Sequence, residues 1–523
     1  MPTALIDDVL DLILQTCSIP SLAVVSCVSF HTRELALPHL LRRVYFDRNP
    51  QQILTFLNFI LDNAHDSDLR IISEPGRHVL ELDLDSLALK SYVLNEKGEY
   101  DLAEKEGYPI PTWAPTVAKA LRLMPNLRSF TLRDQTEEIV TYSPEFVPTV
   151  LSLPQLMSLI LWDIGPKTSL YLGKAMDSLK GATKLQTLKL APMEEMEVVA
   201  HEGVGQFLSH YSMHLTELCF FNLDLRTFLQ DDGHRPDNSR VTFPAVGKLL
   251  IGACKLALEG LATAFPALHT LHLDFSKFLH PYSTGPRQNH VSFPNLISIT
   301  GRYRDIYAIL NSSACRDHVR RAVITCGWDD DDDIATSAYA VPKAAPHLKS
   351  LHFSQSNVKP LAWWQGLGAT LPELTYLDIS FFIMKGLDLI CNHIPSAISQ
   401  IPLEYVTLLI RGPLVDDREV QTTVPEEAIA LSYAKGIPTL KYIDVSKNDT
   451  TLRSLPSSLE APTTWWKVVR KVVSDGKVPV QVESLDADEG RALREWYDLQ
   501  AYGGIVVGTG NPVESCSRGT LGY

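Results

Sequence analysis

Histidine and cysteine are the side chains best suited to hold a metal or to attack a substrate, and the chain has 16 of one and 8 of the other. Their spacing does not build a site. His201-Glu202 opens like a zinc-protease helix, but no second histidine follows at the position that would put two ligands on one helical face. No C-x-x-C pair occurs, and Cys17 and Cys27 stand too far apart to make one. The run Asp329–Asp333 carries enough charge to attract a cation, yet it lacks the alternating ligands and turn glycine of a calcium loop and reads as a solvated loop. Gly504, Gly508 and Gly510 have no Lys-Ser/Thr and no helix after them, which a phosphate cradle needs. There is no G-x-S-x-G elbow and no kinase signature. The pairs Trp363-Trp364 and Trp465-Trp466 read as packing: helical neighbours point about 100° apart, so one of each pair packs and the other shows. The expected chemistry is recognition, with no catalytic residue, no metal and no cofactor.

Bulk properties narrow the partners. The net charge of −14 suits neither nucleic acid nor an anionic membrane. No run of about 18 apolar residues spans a bilayer. The first residues carry Asp7, Asp8 and Asp11 inside their apolar stretch and no basic segment, unlike a secretory signal. Without that route, the sequons at Asn311 and Asn448 read as chance. Eight cysteines in 523 residues are too few for a disulfide scaffold. They are expected as thiols in a reducing compartment, cytoplasmic and/or nuclear.

A repeat organises the chain. M-P-N-L-R-S-F-T-L, L-P-Q-L-M-S-L-I-L, F-P-A-L-H-T-L-H-L, L-P-E-L-T-Y-L-D-I and their weaker copies share L-x-x-L-x-L after a small residue or proline. The first apolar position falls at Val79, Leu127, Leu156, Leu185, Leu215, Val246, Leu268, Leu296, Val319, Leu348, Leu374, Leu403 and Leu440. Most intervals fall in or near a period of about 20–29 residues. The gaps of 48 residues after Val79 and 37 after Leu403 need an insertion or a degenerate repeat. In x-L-x-L the two apolar residues face one side of an extended segment and the intervening residues the other. Between these strands lie helical patterns such as those before Leu127, Leu185 and Leu440, the last two closing on Gly181 and Gly436. Strand, helix, parallel strand predicts an α/β solenoid whose neighbouring units share one core.

The residues between the core leucines then line the solenoid's concave face. Candidate partner-binding positions there are Arg133, Trp162, Lys189, Phe221, His272, Asp274, Arg302, His352, Tyr376, Asp378, Tyr405, Tyr442 and Asp444. Tyr376, Tyr405 and Tyr442 stand at one position of successive repeats, so their rings form one stripe, or alternatively serve as strand formers. With Asp378 and Asp444 beside them, the surface is aromatic and acidic and suits a segment carrying Lys or Arg.

Residues 4–48 follow another pattern. Leu5, Val9, Leu10, Ile13 and Leu14 share a helical face, Leu22, Val25 and Val28 follow at three-residue steps, and Leu35, Pro38, Leu40, Leu41, Val44 and Phe46 come after. Three short amphipathic helices cannot bury all of this alone and must dock on something. The expected layout is a helical module over 1–48, a connecting helix or linker over 49–74, 12–13 irregular repeats over 75–450, a C-terminal cap over 451–502 and a flexible tail over 503–523.

Over roughly 75–450 the chain resembles leucine-rich-repeat proteins of the helix-containing type, although the Asn or Cys usual after L-x-L is mostly absent, which predicts irregular turns. The N-terminal segment resembles the F-box. It reads Leu5-Ile6, Asp7-Asp8-Val9-Leu10, Ile13-Leu14, Leu22, Val25-Ser26-Cys27-Val28-Ser29-Phe30 and Pro38-His39-Leu40-Leu41-Arg42-Arg43-Val44, with Ile6 where the family has proline. The order of the two modules resembles the F-box/leucine-rich-repeat proteins. That resemblance implies a substrate receptor of a cullin–RING ubiquitin ligase, docking a Skp-type adaptor through Leu5, Ile6, Val9, Leu10, Ile13, Leu14, Pro38 and Leu41. The alternatives are a plain cap on the first repeat and a repeat scaffold outside any ligase.

Overall fold

The computed structural model describes residues 2–46, 50–63, 74–84, 92–94, 100–102, 110–133, 135–178, 184–229, 241–256, 258–274, 277–278, 292–312, 314–325, 340–355, 360–382, 388–411, 424–448, 463–471 and 479–500. They form two compact units: Met1–Ala267 with Ser276–Ser283, and Leu268–Phe275 with Thr284–Tyr523. The tail over 503–523, the run Asp329–Asp333, Gly181 and the side chains of Leu5 and Ile6 lie outside the described residues.

Each unit is built from the repeat read in the sequence. All thirteen leading apolar residues, from Val79 to Leu440, are at most 1% exposed, including those of the weak copies at Val319 and Leu403. Two residues after each comes a strand. In the first unit these are Glu81–Leu84, Ser129–Leu132, Ser158–Ile164, Thr187–Pro192, Glu217–Phe221 and Lys248–Gly252, each parallel to the next. In the second they are Thr270–Asp274, Ser298–Arg302, Arg321–Thr325, Ser350–Gln355, Tyr376–Phe382, Tyr405–Arg411 and Tyr442–Asn448, again parallel. Parallel neighbours need crossovers, and helices such as Ile110–Arg122, Pro166–Ser178, Leu361–Thr370 and Glu426–Gly436 supply them. Both units are α/β, parallel strands of the repeat joined by helices, and the first opens with a helical N-terminus. Removing one of these leucines leaves a hole between neighbouring repeats, at a cost of about 2–5 kcal/mol.

The N-terminal helices are Pro2–Thr16, Ile19–Ser26 and Phe30–Leu41. Ser18 caps the second, and Ser29 and Thr32 exchange a capping box at the start of the third. Leu14, Leu22 and Ala36 form their core, with Cys17, Val25, Leu35 and Leu40 packed around it. His39 and His31 hold the first helix to the third through Asp11 (2.7 Å) and Asp7 (2.9 Å).

Several elements depart from the sequence reading. Arg43–Phe46, placed in the helical module, is a strand parallel to Glu81–Leu84. Its alternation is short, and the helical pattern preceding it masks the change of period. In the 48-residue interval, Tyr92–Leu94 and Tyr100–Leu102 pair as an antiparallel hairpin, so an insertion lies there. Trp465-Trp466 sits on a strand, not a helix, and the two point to opposite faces: Trp465 is buried and Trp466 half-buried. Trp363 and Trp364 are on a helix, yet both are buried, against Phe353 and, for Trp364, Phe381. Some of the turns leaving the strands of the first unit share one conformation. Asn222 and Ala253 each take a left-handed conformation directly after their strand, and Asp163 takes it at the register shift near the end of Ser158–Ile164. Met196–Glu197, Leu223–Asp224, Lys255–Leu256 and Lys277–Phe278 then form a second parallel ladder. Asn222 donates to the carbonyls of Pro192 and Met193, and Cys254 to those of Phe220 and Gly252, so two side chains of the type held to be missing stabilise these turns. Burial pushes the Cys254 thiol up to about 12, which keeps it a structural donor rather than a nucleophile.

Candidate protein-binding surfaces

The residues between the core positions form in-register columns on the outward side of each unit's strands. In the first unit the charged and aromatic ones are partly exposed, whereas Thr131 and Cys219 are buried. Arg133 pairs with Asp83 at 3.2 Å, Lys189 faces Glu217 at 3.8 Å, and the Trp162 and Phe221 rings lie 5.8 Å apart. The Phe221 ring also lies across Gly252, where a Cβ would meet its Cδ1 at 2.2 Å. The pattern is mixed in charge and carries two accessible aromatic rings.

The second unit opens differently. His272 is largely buried, and burial with the neighbouring Arg321 charge pushes its pKa down to about 4, so it is neutral. Asp274 faces Arg302; burial raises its carboxyl and the arginine opposes the rise. Further along, Tyr376, Tyr405 and Tyr442 do form a stripe, in direct register with ring centroids 5.5 and 6.2 Å apart. Below it a second row runs Asp378, Thr407, Asp444. Thr407 donates to Asp444 at 2.8 Å and lies 3.2 Å from the Tyr376 hydroxyl.

The helix Ala487–Gln500 covers this stripe. Asp486 caps it by accepting from the amides of Asp488 and Glu489, both at 2.9 Å. Tyr497 lays its ring against Tyr405 (5.2 Å) and Tyr442 (6.0 Å), and its hydroxyl donates to Glu404. Asp498 receives a two-armed bond from Arg321 (2.7 and 3.0 Å), the Ser350 hydroxyl at 3.2 Å and His352 Nε2 at 2.9 Å. His352 Nδ1 faces Asp378 at 3.2 Å, so both ring nitrogens meet carboxylates, the geometry of an imidazolium. Burial alone would lower the His352 pKa; Asp498 and Asp378 outweigh it and raise it. Asp498 is held far below the usual carboxylate range because His352 and Arg321 outweigh its burial. Arg494 reaches Asp378 at 3.4 Å and Asp444 at 3.9 Å. Asp444 is fully buried with that distant partner, and burial pushes its pKa up to about 6.

The surface chosen for a basic partner segment is thus met by an arginine of the same chain, and Tyr376, Tyr405 and Asp444 are at most 1% exposed. Sequence reasoning missed Arg494, Tyr497 and Asp498. The signal was there: Gly490, Leu493, Arg494, Tyr497 and Asp498 recur at helical spacing after an acidic start. The segment read as a cap divides its labour. Thr463–Arg470 and Val480–Leu485 continue the sheet antiparallel beyond Tyr442–Asn448, and the helix turns back over its face.

On the N-terminal module, Val9 and Ile13 are exposed, as are Leu12, Ile19, Val24, Val28 and Phe30. Leu10 and Pro38 are half-buried, and Leu14 and Leu41 belong to the interior. Among the described residues no group of three or more His, Cys, Asp or Glu is placed to hold a metal ion, and no helix is long and apolar enough to cross a membrane.

No family model matches the chain, and no curated protein matches it either. Among solved structures, a leucine-rich repeat-containing protein from Legionella pneumophila, LegL7, aligns over 63% of this chain and 87% of its own, with 10% identity and a TM-score of 0.31. The yeast structure of the Rad7 and Elc1 complex aligns over 58% of this chain and 76% of its own, with 13% identity and a TM-score of 0.29. Scores of this size carry no functional weight.

Proposed function

We propose that the chain is a substrate receptor of a cullin–RING ubiquitin ligase, acting in the cytoplasm and/or nucleus. The N-terminal module docks a Skp-type adaptor and the repeats hold a target protein; nucleic acid and membrane play no part. The receptor has no catalytic residue of its own and contributes proximity, bringing a target lysine near a charged conjugating enzyme. One observation carries the reading. The module closes a core of Leu14, Leu22 and Ala36 and still leaves Val9, Leu12, Ile13, Val24, Val28 and Phe30 exposed. Val9, Leu12 and Ile13 are three and four residues apart, one stripe of one helix, which is how a helix presents itself to a partner.

The test is co-expression with a Skp-type adaptor followed by size exclusion. A stoichiometric complex is expected, and V9D with I13D should abolish it without unfolding the chain, since neither side chain is in the core. A folded chain that ignores the adaptor sinks the ligase reading. A second reading then leads, a repeat scaffold outside any ligase. It has its own support: the Arg42 carbonyl accepts from the amides of Leu80 and Glu81, and Arg43–Phe46 joins the sheet. The module therefore also serves as the first layer of the stack.

A further inference from the structure

The contact between the helix Ala487–Gln500 and the strands beneath it has the composition of a recognition site rather than of a core. A core seam would be apolar. This one is a tyrosine floor with two cations, Arg321 and His352, and two acids, Asp378 and Asp444, on the sheet. The helix answers in kind with an arginine and, four residues on, an aspartate.

We propose that the face formed by Arg321, His352, Tyr376, Asp378, Tyr405 and Asp444 is a binding site for a helical segment of a target protein that carries an arginine and, one turn later, an aspartate or glutamate, and that the chain's own helix Ala487–Gln500 occupies this site as a displaceable internal competitor. The proposal rests on the reading that the repeats bind protein, and not on adaptor docking.

Three observations carry it. First, the frame of the site is built by the sheet and not by the helix. Its side chains stand on strands whose register is fixed by backbone ladders from Arg321 to Asn448. Second, the helix lends only one stripe. Gly490 rests on Trp465, and Leu493, Arg494, Tyr497 and Asp498 meet the sheet, while Trp496 and Leu499 stay exposed. Its link to the sheet is Asp486, one residue after the strand Val480–Leu485, so it can swing away there with every ladder intact. Third, the fit leaves room for improvement. Asp498 is fully engaged, but Arg494 stands 3.4 and 3.9 Å from its two carboxylates, short of the paired geometry a guanidinium can reach. A target arginine seated closer would gain where the resident one does not. Tethering gives the resident helix an effective concentration in the millimolar range, which is how a modest fit holds the site until a target arrives.

The probe is a fluorescent peptide of residues 486–500, added to the full chain and to a full-length variant with its own helix disarmed (Arg494→Ala, Tyr497→Ala, Asp498→Ala). The disarmed chain should bind the peptide at least tenfold more tightly than the unaltered chain does. Arg494→Glu in the peptide, or D378N with D444N in the disarmed chain, should each weaken binding at least tenfold. No saturable binding to a disarmed chain that still unfolds cooperatively overturns the proposal. Hydrogen exchange on the unaltered chain decides independently of any variant. Helix amides at least a hundredfold less protected than those of Tyr405–Arg411 support displacement, and equal protection overturns it by making the helix part of the fold. Neither readout involves the adaptor, so failure of adaptor docking leaves this test standing.

Discussion

The outward columns of the two units come from one repeat and differ in how far their aromatic rings are covered. In the first, Trp162, Lys189 and Phe221 are half-exposed and paired with their neighbours on the sheet. In the second, Tyr376, Tyr405 and Asp444 are as buried as the leucines behind the sheet. The repeat prescribes only the inward positions; an outward residue is core or surface according to what lies on it. Truncation should expose the difference. Tyr405→Ala removes a fully buried ring and should cost about 3–5 kcal/mol in a denaturant titration. Trp162→Ala removes a larger ring at the equivalent face and should cost about 1 kcal/mol. Equal costs would break the comparison.

Two glycines sharpen it. A Cβ on Gly490 would meet Trp465 Cδ2 at 2.2 Å, and that ring is buried between helix and strand with nowhere to go. Gly490→Ala should therefore lift the helix, at a cost of about 1–3 kcal/mol, seen as lost exchange protection over 487–500. A Cβ on Gly252 would meet the Phe221 ring at the same distance, but that ring is half-exposed and can turn aside. Gly252→Ala should cost under about 1 kcal/mol in a thermal melt.

The inward half of the fold was legible because burial writes itself as period. Thirteen apolar positions located thirteen strands, and each strand begins two residues later at the outward residue read from the alignment. The tyrosine stripe was legible for the same reason, since parallel in-register strands preserve columns. The cover was not. Arg494, Tyr497 and Asp498 lie between 52 and 177 residues from Tyr442 and Arg321, and no local pattern says which surface an amphipathic helix will choose. The acidic-aromatic column said what chemistry would be accepted, and the chain's own helix supplies it. Arg43–Phe46 and the turns at Asn222 and Cys254 were missed because four residues of alternation, or one asparagine, are too short to register against a 28-residue repeat.

Acidity should separate the units next. His352, with Asp378, Asp498, Arg321, Ser350 and Tyr376 around it, has a folded pKa above 6.5, so its contribution is complete below 6.5 and is lost as pH rises through the folded value. Asp444, raised to about 6, adds stability that fades between about 3.8 and 6. Asp498, depressed, contributes above 3.8 and loses its effect as pH falls further. The helix should be held best in mild acid, above the ordinary carboxylate range and below 6.5, with protection factors over 487–500 falling as pH rises through the folded pKa of His352. In the first unit His78 is shifted the other way, lowered by burial, so its contribution is complete above 6.5 and lost on acidification. Protection near Pro75–His78 should fall at low pH while that of the helix persists. Parallel responses would remove the assigned role of His352.

The smallest expected effect concerns the open columns. Lys189 and Glu217 stand 3.8 Å apart with both side chains partly in water. Their attraction is screened, and holding two long side chains together costs rotamer freedom, so Lys189→Ala should shift stability by no more than about 0.5 kcal/mol. The same substitution in a cross-strand pair that was dehydrated would cost several times that, because the carboxylate left behind would be buried alone. The second unit offers that contrast in Arg321, whose removal strips Asp498 of its two-armed partner beneath a helix. Thermal melts of Lys189→Ala and Arg321→Ala at low and at 0.5 M salt should therefore diverge in size and in salt response. The first should shift slightly and lose even that at high salt, and the second should be large and nearly salt-independent. A large, salt-resistant loss at Lys189 would show the columns of the first unit to be as dry as those beneath the helix.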